Sequence, residues 1–254
     1  DWGYAYLAST NGSGKSVSLG DYYGMKESFV KNGTLATTKT KWTTRKEEDN
    51  PAMAYVHNLG SVSNSGKEGF MMLGYDDIYS IEYMYEKRMG YWKHDGKVTI
   101  FDAFEKLRDN YQAIMERCRA FDELIYDDAE KAGGKKYAEI CSASYRQVIS
   151  AHKLFTDKEG NLLWFSKENN SNGCVNTVDL TYPSAPLFLV YNPELQKAMM
   201  TSIFEYSASG RWNKPFPAHD LGTYPIANGQ VYGGDMPIEE GGNMVILAAA
   251  ISIR

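Results

Sequence analysis

The sequence predicts an α+β protein. Residues 1–75 form a β-rich region, and residues 76–254 form an α/α-hairpin toroid. Two observations carry this. Apolar residues alternate with a period near 2 up to Tyr75, and from Asp76 onward the period lengthens towards 3.6. In addition, two amphipathic segments meet at Gly133-Gly134, the pattern of an antiparallel αα-hairpin.

The strands come first. Trp2 to Ala8 alternates large and small residues, and Ala54–Leu59 and Glu68–Tyr75 follow on either side of the turn-rich stretch Gly60–Gly66. The polar segment Thr34–Asn50 reads as a strand pair or an excursion. Next, Ile78, Ile81, Tyr85, Arg88/Met89 and Trp92 predict one helical face, with Asp76 or Asp77 as its cap. Thr99 opens a long helix whose apolar positions are Phe104, Leu107, Tyr111, Ile114, Cys118, Phe121 and Ile125, spaced 3 and 4 apart in turn. After Gly133-Gly134 a second helix carries Tyr137, Cys141, Tyr145, Val148 and His152 on one face. Asn192-Pro193-Glu194 is a helix start with a cap, a proline at the first helical position and an acid in the first turn. A last helix opens near Asp235 and continues to Arg254. Two long loops remain, Thr156–Tyr191 and Ser207–Gly234, and loops of that length are often functional.

Composition removes several classes of function. The net charge is −5, and the one basic cluster (Lys39, Lys41, Arg45, Lys46) runs straight into Glu47, Glu48 and Asp49, so no nucleic-acid partner is expected. The apolar run Met244–Ile251 is 8 residues long, too short to span a membrane. Cys118, Cys141 and Cys174 lack CxxC spacing and are expected to be small buried hydrophobes. The four histidines show no HxxxH or HExxH pattern, so neither metal nor cofactor is expected. Gly12-Ser-Gly-Lys-Ser16 resembles the tail of a P-loop but lacks its leading glycine. No GxSxG nucleophile elbow is present.

What remains is a concentration of carboxylates among amides and aromatics. The first loop holds Glu168, Asn169, Asp179 and Tyr182. The second holds Trp212, His219, Asp220 and Tyr224, and leads to Glu239 and Glu240. A cleft hydrolase needs two carboxyl groups in different environments, one protonated and one ionised. Asp220, Glu239, Glu168 and Asp179 are therefore the catalytic candidates, with Asp220 first. His219, Tyr224, Trp212, Asn169, Tyr182 and Glu240 are the substrate-binding candidates. Adjacent His219 and Asp220 point different ways and form no relay by default, and acids at positions 239 and 240 also suit a helix N-terminus.

Several long motifs resemble the secreted microbial glutaminase A family: Ser166–Gly173, Val178–Leu189, Tyr191-Asn-Pro-Glu194, Ala218-His-Asp-Leu-Gly-Thr-Tyr-Pro225 and Met236–Met244. The opening Asp1-Trp-Gly-Tyr, Ser80-Ile-Glu-Tyr83 and Tyr145-Arg-Gln147 fit as well, so the resemblance spans nearly the whole chain. It implies a β-sandwich leading into a six-hairpin glycosidase-like toroid, hydrolysis of glutamine to glutamate and ammonia, and a secreted or periplasmic location. The toroid's relatives mostly act on sugars, so glycoside hydrolysis by paired carboxylates is the alternative, and a non-catalytic binding module is the third reading. The expected partner is a small amino acid amide or sugar. Residues 76–254 supply about half of what six hairpins need, so the other half is expected from a longer chain, and an apolar face is expected around Ile238–Ile253.

Overall fold

A computed structural model describes residues 3–35, 50–168 and 170–253. Most of the Thr34–Asn50 segment, Trp2 of the first strand, and Asn169 lie outside these. The chain divides into two compact units. Gly3–Asp76 with Ile100–Glu105 form the first, and Asp77–Thr99 with Lys106 onward form the second.

The first unit is built from two antiparallel strand pairs. β1 (Tyr4–Ala8) pairs with β4 (Met72–Asp76), and β2 (Lys15–Asp21) pairs with β3 (Pro51–His57). Gly74 lies under Phe104, where an added Cβ would come within 2.5 Å of the ring. Tyr6 meets Phe101 and Phe104 edge-on at 5.8 and 6.5 Å. The β-only reading of residues 1–75 missed a helix, α1 (Tyr22–Asn32). Asp21 caps it by accepting from Gly24 N, and Gly33 ends it at φ 67.

The second unit corrects the helix expected from Asp76 to Trp92. That segment is a hairpin, β5 (Ile81–Tyr83) and β6 (Glu86–Arg88), followed by a short 3₁₀ turn at Tyr91–Lys93. Met84 and Tyr85 both take positive φ, 49 and 70, as a tight two-residue hairpin turn requires. Ile81 and Tyr83 are buried on one face, and a later strand, β9 (Ile226–Ala227), pairs in parallel with Glu82 and Tyr83. Tertiary pairing overrode the helical spacing.

The long helix from Thr99 is two, α2 (Ile100–Asp109) and α3 (Tyr111–Gly133), broken at Asn110. α3 and α4 (Lys135–Ser150) form the αα-hairpin about Gly134 at φ 79. Phe121, Tyr145 and Tyr191 cluster with centroids 5.2 to 6.2 Å apart. Of the cysteines only Cys174 is buried; Cys118 is exposed and Cys141 half-buried.

His152 leaves the helix and opens β7 (His152–Thr156), which pairs with β8 (Leu162–Ser166). This hairpin is covered on both faces. Phe155, Leu163 and Phe165 enter the main core with Val175, Met200 and Leu247. Trp164 faces Phe188 and Met199 on the other side. His152 stacks on Trp164 at 4.9 Å and its Nδ1 bonds to Val148 O, while its Nε2 is enclosed without a partner among the described residues. Burial holds its pKa down to about 4, opposed weakly by the Val148 bond. Above pH 6.5 both folded and unfolded states are neutral and stability is full. Between pH 6.5 and about 4 the unfolded chain takes up a proton that the folded one refuses. Stability should therefore fall with acidification, by no more than about 1.4 kcal/mol per pH unit from this group. Denaturant titrations between pH 7 and 4 check this: His152→Gln should flatten the slope, and an unchanged slope would remove His152 as its source.

The first long loop is corrected too, since it contains β8 and a helix, α5 (Val178–Tyr191). Pro183 and Pro186 sit inside that helix, and two prolines within four residues are what made it read as loop. α6 (Pro193–Ala208) starts where predicted, with Asn192 Oδ1 accepting from Leu195 N at 3.3 Å. α7 (Pro237–Ile253) buries Glu240, Asn243, Met244 and Leu247 and leaves Ile238, Val245, Ile246 and Ile253 exposed. That is the apolar outer face the sequence predicted. Among the described residues no helix is long and apolar enough to cross a membrane.

Candidate active site

Two irregular segments run side by side ahead of α5 and α7. Val175 N donates to Gly222 O at 2.8 Å, Leu221 N to Val175 O at 3.0 Å and Tyr224 N to Gly173 O at 3.0 Å. Val178 N, at the start of α5, donates to His219 O at 2.9 Å. Gly222 is required here: its φ is 134, and a Cβ would lie 2.2 Å from Ile226 O. This lacing brings the first turns of α5 and α7 to His219.

Three of the candidate side chains meet there. Asp179, His219 and Glu240 each place a nitrogen or oxygen within 4.8 Å of the others. Glu240 is 0% exposed and His219 is 3% exposed; Asp179 is half-buried. His219 Nδ1 bonds directly to Glu240 Oε1. Glu240 Oε2 and Asp179 Oδ1 are enclosed and have no partner among the described residues. Burial raises the Glu240 carboxyl above the usual range; His219 opposes this, while Asp179 and Glu239 add to it. The result is a buried carboxyl–imidazole couple beside a carboxylate with an unused oxygen, an acid and a base held in different environments. One divalent cation could span these three donors. The direct His219–Glu240 hydrogen bond already joins two of the three.

The imidazole is oriented from two sides. Its own backbone N–H donates to Gln230 Oε1 at 2.9 Å, and the Tyr232 ring lies 4.3 Å from it. Gln230 is held in turn by Asp235 Oδ1 at 3.0 Å. No motif marks Gln230 in the sequence; only the fold of the second loop brings it to His219.

The other candidates are placed elsewhere. Asp220 is 0% exposed, and its carboxylate accepts from Gly222 N at 2.8 Å and from Val231 N and Tyr232 N at 3.1 Å. It clasps the loop, pointing away from its neighbour. Glu168 does the same for the first loop, accepting from Asn170, Asn172 and Gly173 N at 2.9 to 3.2 Å. The backbone amides of Asn172, Ser171 and Gly173 hold its carboxyl at about 2. Glu239 is exposed in the first turn of α7, next to Glu240 but outside the cluster. Tyr182 is exposed on α5, Trp212 Nε1 donates to Phe216 O, and the Tyr224 ring lies under Lys167 at 5.7 Å.

Comparison with known proteins adds the following. Residues 134–254 match the family described as the glutaminase A six helical-hairpin domain, and residues 1–128 match a domain of unknown function, DUF5127. The chain is similar to a protein of Aspergillus oryzae named Glutaminase A. The two are 34% identical over 258 residues, a match covering 98% of this chain and 37% of that protein. It is also similar to a protein of Arthroderma benhamiae named "Probable glutaminase", 36% identical over 127 residues, covering 49% of this chain and 15% of that one. The chain thus spans little more than a third of the length of the first relative.

Proposed function

The chain belongs to the glutaminase A family, and from that premise we propose that it carries the acid–base centre of an amidohydrolase that releases ammonia from glutamine or a similar small amide. The buried Glu240–His219 couple beside Asp179 carries this reading. Water between the groups gives a proton to the Asp179 carboxylate as its oxygen attacks the amide carbon. The proton shared by Glu240 and His219 then passes to the departing nitrogen, the carbon–nitrogen bond breaks, a carboxylic acid and ammonia leave, and Asp179 returns its proton to the couple. The N-terminal turns of α5 and α7 favour the negative charge that builds up on the carbonyl oxygen.

Two carboxyl groups this close also suit a retaining glycosidase, whose carboxyl pair sits ~5–5.5 Å apart. One measurement separates the two. The full-length protein, given L-glutamine and a panel of glycans, should release ammonia from the first and no reducing sugar from the second. Sugar release without ammonia would replace the amidohydrolase reading by the glycosidase one.

A further inference from the structure

A cavity of about 470 Å³, lined by several charged residues, lies within the second unit and shares no lining residue with the Asp179–His219–Glu240 cluster. Three elements bound it: the β5–β6 hairpin, the turn between β7 and β8, and the C-terminal end of α6. Its size is that of a small-molecule site.

The charges lining it cancel in pairs, with two exceptions. Glu86 pairs with Arg88, and Lys158 with Glu159 at 3.6 Å. One remaining pole is negative. Glu205 and Asp157 both line the cavity and pair with no cation among the described residues. Tyr83, 4% exposed, donates its hydroxyl to Glu205 Oε2 at 2.5 Å, and Asp157 accepts from Asn161 N and Nδ2 at 2.8 and 2.7 Å. Burial raises Glu205, whereas at Asp157 the Asn161 bonds outweigh burial and lower it. The other pole is positive. Arg211 makes no ion pair among the described residues; its guanidinium lies 5.0 Å over the Tyr85 ring.

We propose that this cavity binds a small zwitterion of the α-amino acid class, its ammonium against Asp157 and Glu205 and its carboxylate against Arg211. Two carboxyl groups at one pole attract the ammonium. A planar guanidinium already braced on an aromatic ring loses little freedom on taking a carboxylate. Neither pole alone is sufficient, so the site discriminates against a plain amine and a plain dicarboxylate.

Calorimetry on the full-length protein tests this with L-leucine and L-glutamate as probes, and isopentylamine and glutarate as analogues that each lack one pole. At least one amino acid should bind while its one-pole analogue does not. Arg211→Met and Asp157→Asn should each weaken that binding tenfold or more. Arg211→Lys, which keeps the charge, should restore part of it, which separates ligand recognition from a folding defect. The proposal is overturned if neither amino acid binds, if the one-pole analogues bind equally well, or if Arg211→Met has no effect.

Discussion

Glu240→Gln is expected to lower the turnover of the full-length enzyme roughly 10²–10⁴-fold while leaving it folded, because a general acid or base is typically worth that much. The amide of glutamine matches the carboxyl in volume and can still meet His219 Nδ1, so the geometry of the couple survives while its proton chemistry does not. His219→Asn should cost a similar factor, and the double variant little more than either single one, since the two side chains handle one proton. Additive losses would mean that they act separately and would dissolve the couple as a unit. A folded Glu240→Gln enzyme with near-normal ammonia release would remove the residue from the chemistry.

The second large effect is on stability. In Asp220→Ala the amides of Gly222, Val231 and Tyr232 lose their shared acceptor in a buried or half-buried setting. Each stranded donor costs ~1–3 kcal/mol, so a total of roughly 3 kcal/mol or more is expected. Thermal unfolding of the full-length protein reads this directly. Asp220→Asn, which keeps one carbonyl oxygen, should fall between wild type and Asp220→Ala in stability. Its loss of turnover should track its loss of folded protein. An Asp220→Asn enzyme as stable as wild type but a hundredfold slower would instead restore Asp220 as the first-choice catalyst that the sequence suggests.

Where local chemistry decides the structure, the sequence is legible. Asn192-Pro193-Glu194 starts a helix through its own cap, and the 3, 4 spacing from Phe104 to Ile125 marks a face that packs wherever it is put. Position 110, where that run breaks, carries no such mark. Legibility fails where a distant strand decides, as at Ile81–Tyr83, whose partner Ile226–Ala227 is far along the chain. It fails again at α5, where Pro183 and Pro186 announce a loop but the surrounding apolar residues keep the helix packed in the core.

The candidate site shows the same division. Asp179, His219 and Glu240 stand out by residue type, but their roles do not. Sequence density of carboxylates ranks Asp220 above Glu240, and burial and hydrogen bonding reverse that order in the reading proposed here. Asp157 and Glu205 escape notice altogether, because a turn residue and a helix-end residue belong to no motif until β7, β8 and α6 are packed.

The lacing of residues 173–178 to 219–224 has a consequence for the life of the chain before it is finished. Synthesis delivers Asp179 first, then all of α6, then His219, and Glu240 only at the opening of α7. Loop closure between these points has an entropic cost that grows only slowly with length, so the delay is set by translation and not by diffusion. A nascent chain that has emerged as far as Tyr206 has a core strand hairpin and a helix pair to fold, but no proton couple. In the reading proposed above, the acid–base centre therefore assembles in one step, when α7 docks and brings Glu240 up to an imidazole already held in place.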